Sequence, residues 1–83
     1  MTVKSVARDI IDTVGMDNIQ SVSHCATRIR LVPLDAKKIK VLDENDVIKG
    51  SLFANNEYQV FIRLGDIQEV YQEIEQLLKN EQE

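Results

Sequence analysis

The stretch Ile19-Gln20-Ser21-Val22-Ser23-His24-Cys25-Ala26-Thr27-Arg28-Ile29-Arg30-Leu31-Val32-Pro33-Leu34 decides the fold. Residues 19–23 are short and half apolar, and residues 27–34 alternate apolar with charged side chains through Ile29, Arg30 and Leu31. Period two is the mark of a strand with one buried face. His24-Cys25-Ala26 lies between the two segments as a polar turn, so the stretch reads as a hairpin. Pro33 has no N–H to donate and ends the ladder.

Upstream, Val6, Ala7, Ile10, Ile11 and Val14 recur at helical spacing, and Gly15 follows where a left-handed cap closes a helix. Downstream, Asp35 is placed to cap a short helix over residues 36–41. Residues 47–53 and 58–62 read as strands around Ala54-Asn55-Asn56-Glu57, since paired asparagines tolerate the positive φ angles of a tight hairpin turn. After Gly65, Asp66 stands at an N-cap position, and Ile67, Val70, Tyr71, Ile74, Leu77 and Leu78 make a continuous helical stripe. The order α-β-β-α-β-β-α defines an α+β fold. Two hairpins form a four-stranded antiparallel sheet, and the helices cover one of its faces.

With 83 residues the chain is expected to be a single domain, residues 1–83, because a second hydrophobic core needs more length. Apolar runs of only a few residues are too short to enter a bilayer. Met1-Thr2-Val3-Lys4-Ser5 leads into mixed sequence rather than the apolar core of a secretory signal, so a cytoplasmic location is expected. One cysteine makes no internal disulfide, and one Cys with one His falls short of a zinc site, so neither metal nor cofactor is expected. A net charge of -4 argues against nucleic acid as a partner. The acid is gathered at the end, where Asp66, Glu69, Glu73, Glu75, Glu81 and Glu83 face Lys79 alone. Between Ser23 and Leu34 there is no carboxylate, so the local sign around Cys25 is positive.

If the second strand begins near Thr27, Arg28 and Arg30 project from one face while Ile29 and Leu31 enter the core. Two guanidinium groups beside the thiol lower its pKa and make Cys25 a nucleophile at neutral pH. The backbone N–H groups of Ala26, Thr27 and Arg28, with the Thr27 hydroxyl, are placed to converge on an anion in the turn. A thiolate, several N–H donors and two planar guanidinium forks match the spread charge of a phosphoryl group.

Cys25-Ala26-Thr27-Arg28-Ile29-Arg30-Leu31, preceded by Asn18-Ile19 and followed by Asp35, resembles the phosphorylation-site signature of enzyme IIB domains of the bacterial sugar phosphotransferase system, glucose/sucrose type. Val47-Ile48-Lys49-Gly50, Tyr58-Gln59-Val60-Phe61-Ile62, Gly65-Asp66 and Val70-Tyr71 are similar to the later parts of that family, so the resemblance spans nearly the whole chain. His24 before the cysteine looks more like the sucrose, trehalose and β-glucoside branch than the glucose branch. The resemblance implies a phosphotransferase component. A phosphohistidine on a IIA domain donates to Cys25, and the phosphocysteine donates to sugar held by a membrane IIC domain, to which this domain is fused or associated. It assigns phosphoryl acceptance to Cys25 and assistance in onward transfer to Arg28 and Arg30. Where that family usually has a glycine followed one residue later by another, this chain has Arg63-Leu64-Gly65, which adds a cation near the end of the fourth strand.

Blander readings stand beside these. A lone cysteine is more often buried than nucleophilic, and alternating arginines are often just the wet face of a strand. The polar turn and the absence of nearby acid favour function for both. A His24–Cys25 dyad is disfavoured, because adjacent side chains on an extended backbone diverge. Arg63 reads as a surface residue. Two other functions stay open: a regulatory phosphocysteine module that signals sugar flux without phosphorylating sugar, and a thiol redox protein that takes its resolving thiol from another molecule.

Overall fold

A computed structural model describes residues 2–82. Met1 and Glu83, which enter the N-terminal and charge readings, lie outside the described residues, as do the side chains of Glu81 and Gln82. Helix α1 (Val3–Val14) opens on a reciprocal cap: the Thr2 hydroxyl accepts the Ser5 N–H at 3.1 Å, and the Ser5 hydroxyl accepts the Thr2 N–H at 3.2 Å. Two of the donors orphaned at a helix start are thereby satisfied. The helix ends at Gly15, whose N–H bonds the Ile11 carbonyl at 2.7 Å with φ at +110°. Only glycine takes that conformation without strain.

A single 3₁₀ turn, Met16–Asn18, then leads into β1 (Ile19–His24) and β2 (Arg28–Pro33). Asn18 locks this corner. It is 3% exposed, its Nδ2 donates to the carbonyls of Val14 (3.0 Å) and Asp35 (2.8 Å), and its Oδ1 accepts the Asp35 N–H at 2.7 Å. The hairpin's two ends are thus tied by one buried amide, and the Cys25 turn projects from the other end. A β-bulge between Ile19 and Ser21 absorbs the register shift beside this knot.

The middle helix is present as one 3₁₀ turn, Ala36–Lys38, capped by the Asp35 carboxylate on the Lys37 N–H at 3.0 Å. It stops short of residue 41 because Ile39 is already extended and the Lys40 N–H bonds the Thr13 carbonyl at 2.8 Å, leaving it unavailable to a further helical turn. Strands β3 (Ile48–Ala54) and β4 (Glu57–Ile62) follow. Asn55 and Asn56 both take positive φ, 55° and 61°, as a two-residue hairpin of this hand requires. Helix α2 (Ile67–Gln82) closes the chain.

All strand pairs are antiparallel, and the spatial order is β1-β2-β4-β3. The two central strands therefore come from different hairpins. Ile29 and Leu31 of β2 and Val60 and Ile62 of β4 pack with Val6, Ile10, Ile11 and Val14 of α1 and Val70 and Ile74 of α2. Both helices lie on that side, so Arg28 and Arg30 of β2 stand with Glu57, Gln59 and Phe61 of β4 on the open face.

Replacing Asn18 by Ala strands one part-buried N–H and two carbonyls, and the unfolding free energy measured in urea should fall by about 2–3 kcal/mol. Asn56→Val, which forces a β-branched residue to positive φ, should lower it by about 1–2 kcal/mol.

Candidate active site

The turn between β1 and β2 is tethered at two points. The Cys25 N–H bonds the Arg28 carbonyl at 3.0 Å, and the Ile62 N–H of β4 bonds the Thr27 carbonyl at 3.3 Å. The half-buried thiol has its pKa lowered to about 6, and the backbone N–H groups of Thr27 and Arg28 are among the causes. The Thr27 N–H is the largest influence. Partial burial opposes it, and the Arg28 N–H, the Arg30 side chain and the Thr27 hydroxyl add to the lowering. The hydroxyl lies 3.9 Å from the sulfur. Donors that bond the charged form of an acid favour ionisation, so at pH 7 the thiolate is the favoured form.

The expected ionisation by two guanidinium groups is thus divided differently. Arg30 acts on the sulfur through its side chain, Arg28 through its backbone N–H. The Arg28 side chain is held elsewhere: its Nη1 donates to the Gln59 Oε1 at 2.6 Å, and its guanidinium lies 4.6 Å from the centre of the Phe61 ring. A hydrogen bond from a charged donor contributes about 1.5–3 kcal/mol and a cation–π contact about 0.5–1 kcal/mol, together enough to offset the roughly 2 kcal/mol of rotamer freedom an arginine loses. Of the three amides expected to converge on an anion, those of Thr27 and Arg28 act on the sulfur. The Nε atoms of Arg28 and Arg30 are buried without a partner, so each arginine keeps an unfilled donor.

Other side chains fall into place around this turn. His24 puts its ring 4.5 Å from that of Tyr71 on α2, tilted by 56°, with Nδ1 3.4 Å from the Cys25 carbonyl oxygen. The imidazole therefore braces the turn against α2. Burial, then Glu75, pushes the Tyr71 phenol up, which keeps it neutral. Arg63 spends its charge locally, donating from Nε to Asp66 at 2.8 Å and lying 3.9 Å from Asp46. The Asp66 carboxylate at the start of α2 thus holds an arginine.

Sequence reasoning missed Gln59, Phe61 and Glu57, the β4 residues that receive the two arginines. Their period-two spacing was a visible signal for one shared face. That this face adjoins β2 was not visible, because strand order depends on tertiary pairing.

Comparison with known proteins places the chain in a family. The family described as phosphotransferase system, EIIB, matches residues 8–39. A PTS system sucrose-specific EIIBCA component from Pediococcus pentosaceus is 41% identical over 73 residues, which cover 86% of this chain and 11% of that protein. A PTS system trehalose-specific EIIBC component from Bacillus subtilis (strain 168) is 41% identical over 71 residues, covering 82% of this chain and 15% of that protein. The crystal structure of one domain of the PTS system IIabc component from Clostridium difficile superposes with a TM-score of 0.82 at 34% identity, over 89% of this chain and 80% of that one. The chain belongs to the EIIB family of the phosphotransferase system, in its glucose/sucrose-type group. It spans between a tenth and a fifth of the length of the curated relatives it matches, from 11% to 18%.

Two measurements check the thiolate. Alkylation of Cys25 by iodoacetamide should reach half its maximal rate near pH 6, against about 8.5 for an ordinary thiol. Because the pKa is depressed by folding, ionisation stabilises the native state fully above the ordinary thiol range and is lost as pH falls through about 6. The urea midpoint of the wild type should therefore gain on that of Cys25→Ser as pH rises from about 6 toward the ordinary thiol range, and run parallel to it below.

Proposed function

We propose that the chain relays a phosphoryl group in sugar uptake, with Cys25 as the covalent carrier. The observation that supports this most directly is a half-exposed sulfur in the β1–β2 turn, its pKa lowered to about 6 by the Thr27 amide above all. In the first step the thiolate attacks the phosphorus of a phosphohistidine on a IIA domain. The S–P bond forms as the N–P bond breaks, and the imidazole leaves with the electron pair and is then protonated. In the second, a hydroxyl oxygen of sugar bound by a membrane IIC domain attacks the same phosphorus. The S–P bond breaks, the sulfur departs as thiolate, and the hydroxyl proton passes to a base of the sugar-binding partner.

The low pKa serves both steps. It supplies a nucleophile at neutral pH and makes the sulfur a good leaving group. The Thr27 and Arg28 N–H groups that meet the thiolate are placed to meet phosphoryl oxygens, and the open Nε donors of Arg28 and Arg30 add charge-assisted bonds as negative charge spreads in transfer. Fusion of EIIB with C, or with C and A, in the named relatives supports IIC and IIA domains as the partners. Among the described residues no helix is long and apolar enough to cross a membrane. The fusion of EIIB to C in the named relatives supports tethering at the cytoplasmic face through a IIC domain.

The test supplies phosphoenolpyruvate, the general phosphotransferase proteins, a IIA domain and IIC-containing membranes. Wild type should yield phosphocysteine and sugar phosphate, and Cys25→Ser neither. Arg28→Lys and Arg30→Lys should retain most phosphocysteine formation and lose roughly tenfold or more of transfer to sugar, since lysine keeps the charge without the planar fork. Wild-type sugar phosphorylation by both lysine variants would remove the arginines from the mechanism.

A further inference from the structure

Both site arginines lean the same way. The register sets Arg28 opposite Phe61 and Arg30 opposite Gln59. Yet Arg28 bonds Gln59, and Arg30 pairs with Glu57 at 3.7 Å. Each guanidinium thus reaches the β4 side chain one outward position farther from the Cys25 turn. The two supports differ in charge, because Gln59 is a neutral amide and Glu57 a carboxylate. Arg30 thus has Glu57 on the side away from the turn, and its side chain also contributes to lowering the Cys25 pKa.

The Arg30–Glu57 pair is loose enough to be displaced. At 3.7 Å it is longer than a formed hydrogen bond, and its side chains are 38% and 26% exposed, where water weakens the attraction. A phosphoryl group on the sulfur brings up to two negative charges against one on Glu57. We propose that Glu57 is the resident counter-ion of Arg30 and competes with the anion on Cys25 for that guanidinium, thereby setting how firmly a phosphoryl group is held. With the phosphoryl group present Arg30 swings toward it, and Glu57 draws it back, so the phosphocysteine stays a ready donor rather than a trapped one. The statement about phosphocysteine rests on the relay reading. The competition between Glu57 and the thiolate for Arg30 does not.

The experiment is a double-mutant cycle on the whole chain, with Glu57→Gln, Arg30→Gln and both together, each variant shown to be folded by its circular dichroism. The pH midpoint of Cys25 alkylation is the first readout. Glu57→Gln should lower it by about half a unit in the wild-type background and leave it unmoved when Arg30 is absent. An unmoved or raised midpoint overturns the proposal, and so does an equal drop in both backgrounds, which would be a plain charge effect. The second readout is the lifetime of phosphocysteine generated through the relay proteins, which Glu57→Gln should lengthen about threefold. An unchanged or shortened lifetime overturns the claim for the phosphoryl group. If wild type takes up no phosphoryl group, the relay reading fails, and the alkylation cycle still decides whether Glu57 and the thiolate compete.

Discussion

The pairing of β2 with β4 is the constraint from which the rest follows. Each strand spends alternate residues on the core and on the open face, so a single register serves packing and chemistry at once. Ile29 and Leu31 meet Val60 and the helices on one side. On the other, the same register brings Arg28 and Arg30 against Phe61, Gln59 and Glu57. A slip by one residue would bury both arginines and expose the isoleucine and leucine, which makes the site as hard to lose as the core. Central position helps as well, since both strands have neighbours on each edge and neither can fray.

The thiolate owes more to main chain than to side chain. An N–H group in a short turn is held by the hairpin itself, whereas a guanidinium at the end of a long stem must be ordered at some entropic cost. The fold therefore lowers the thiol pKa chiefly with the Thr27 amide, aided by the Arg28 amide and the Arg30 side chain, and holds the Arg28 side chain on β4 with a donor unfilled. His24 and Tyr71 add a brace to the turn from the helical side.

Much of this was legible from local pattern. The helical stripes, the period-two strands, the paired asparagines at positive φ and the polar turn around Cys25 all rest on forces acting within a few residues. Asn18 and Asp35 stood at the margins of the cysteine signature, and the buried Asn18 amide ties the two ends of that hairpin together through the Asp35 backbone. Residues 36–41 were harder, because the Lys40 N–H is claimed by the Thr13 carbonyl of a distant helix, and no local propensity reveals that. Arg63 was equally opaque: its two acidic partners come from separate segments.

By itself, the sequence determined the element order, the inward and outward faces of β2, and a cysteine in a polar turn free of nearby carboxylates along the chain. Those properties follow from alternation, turn chemistry and local charge. Only the tertiary structure decided that β4 rather than β3 lies beside β2, and hence that Glu57, Gln59 and Phe61 attend the arginines. It also decided which arginine speaks to the sulfur through its side chain and which through its backbone. Strand order is a contest among long-range pairings, each closing a different loop and burying different area, and no window of neighbouring residues contains that comparison.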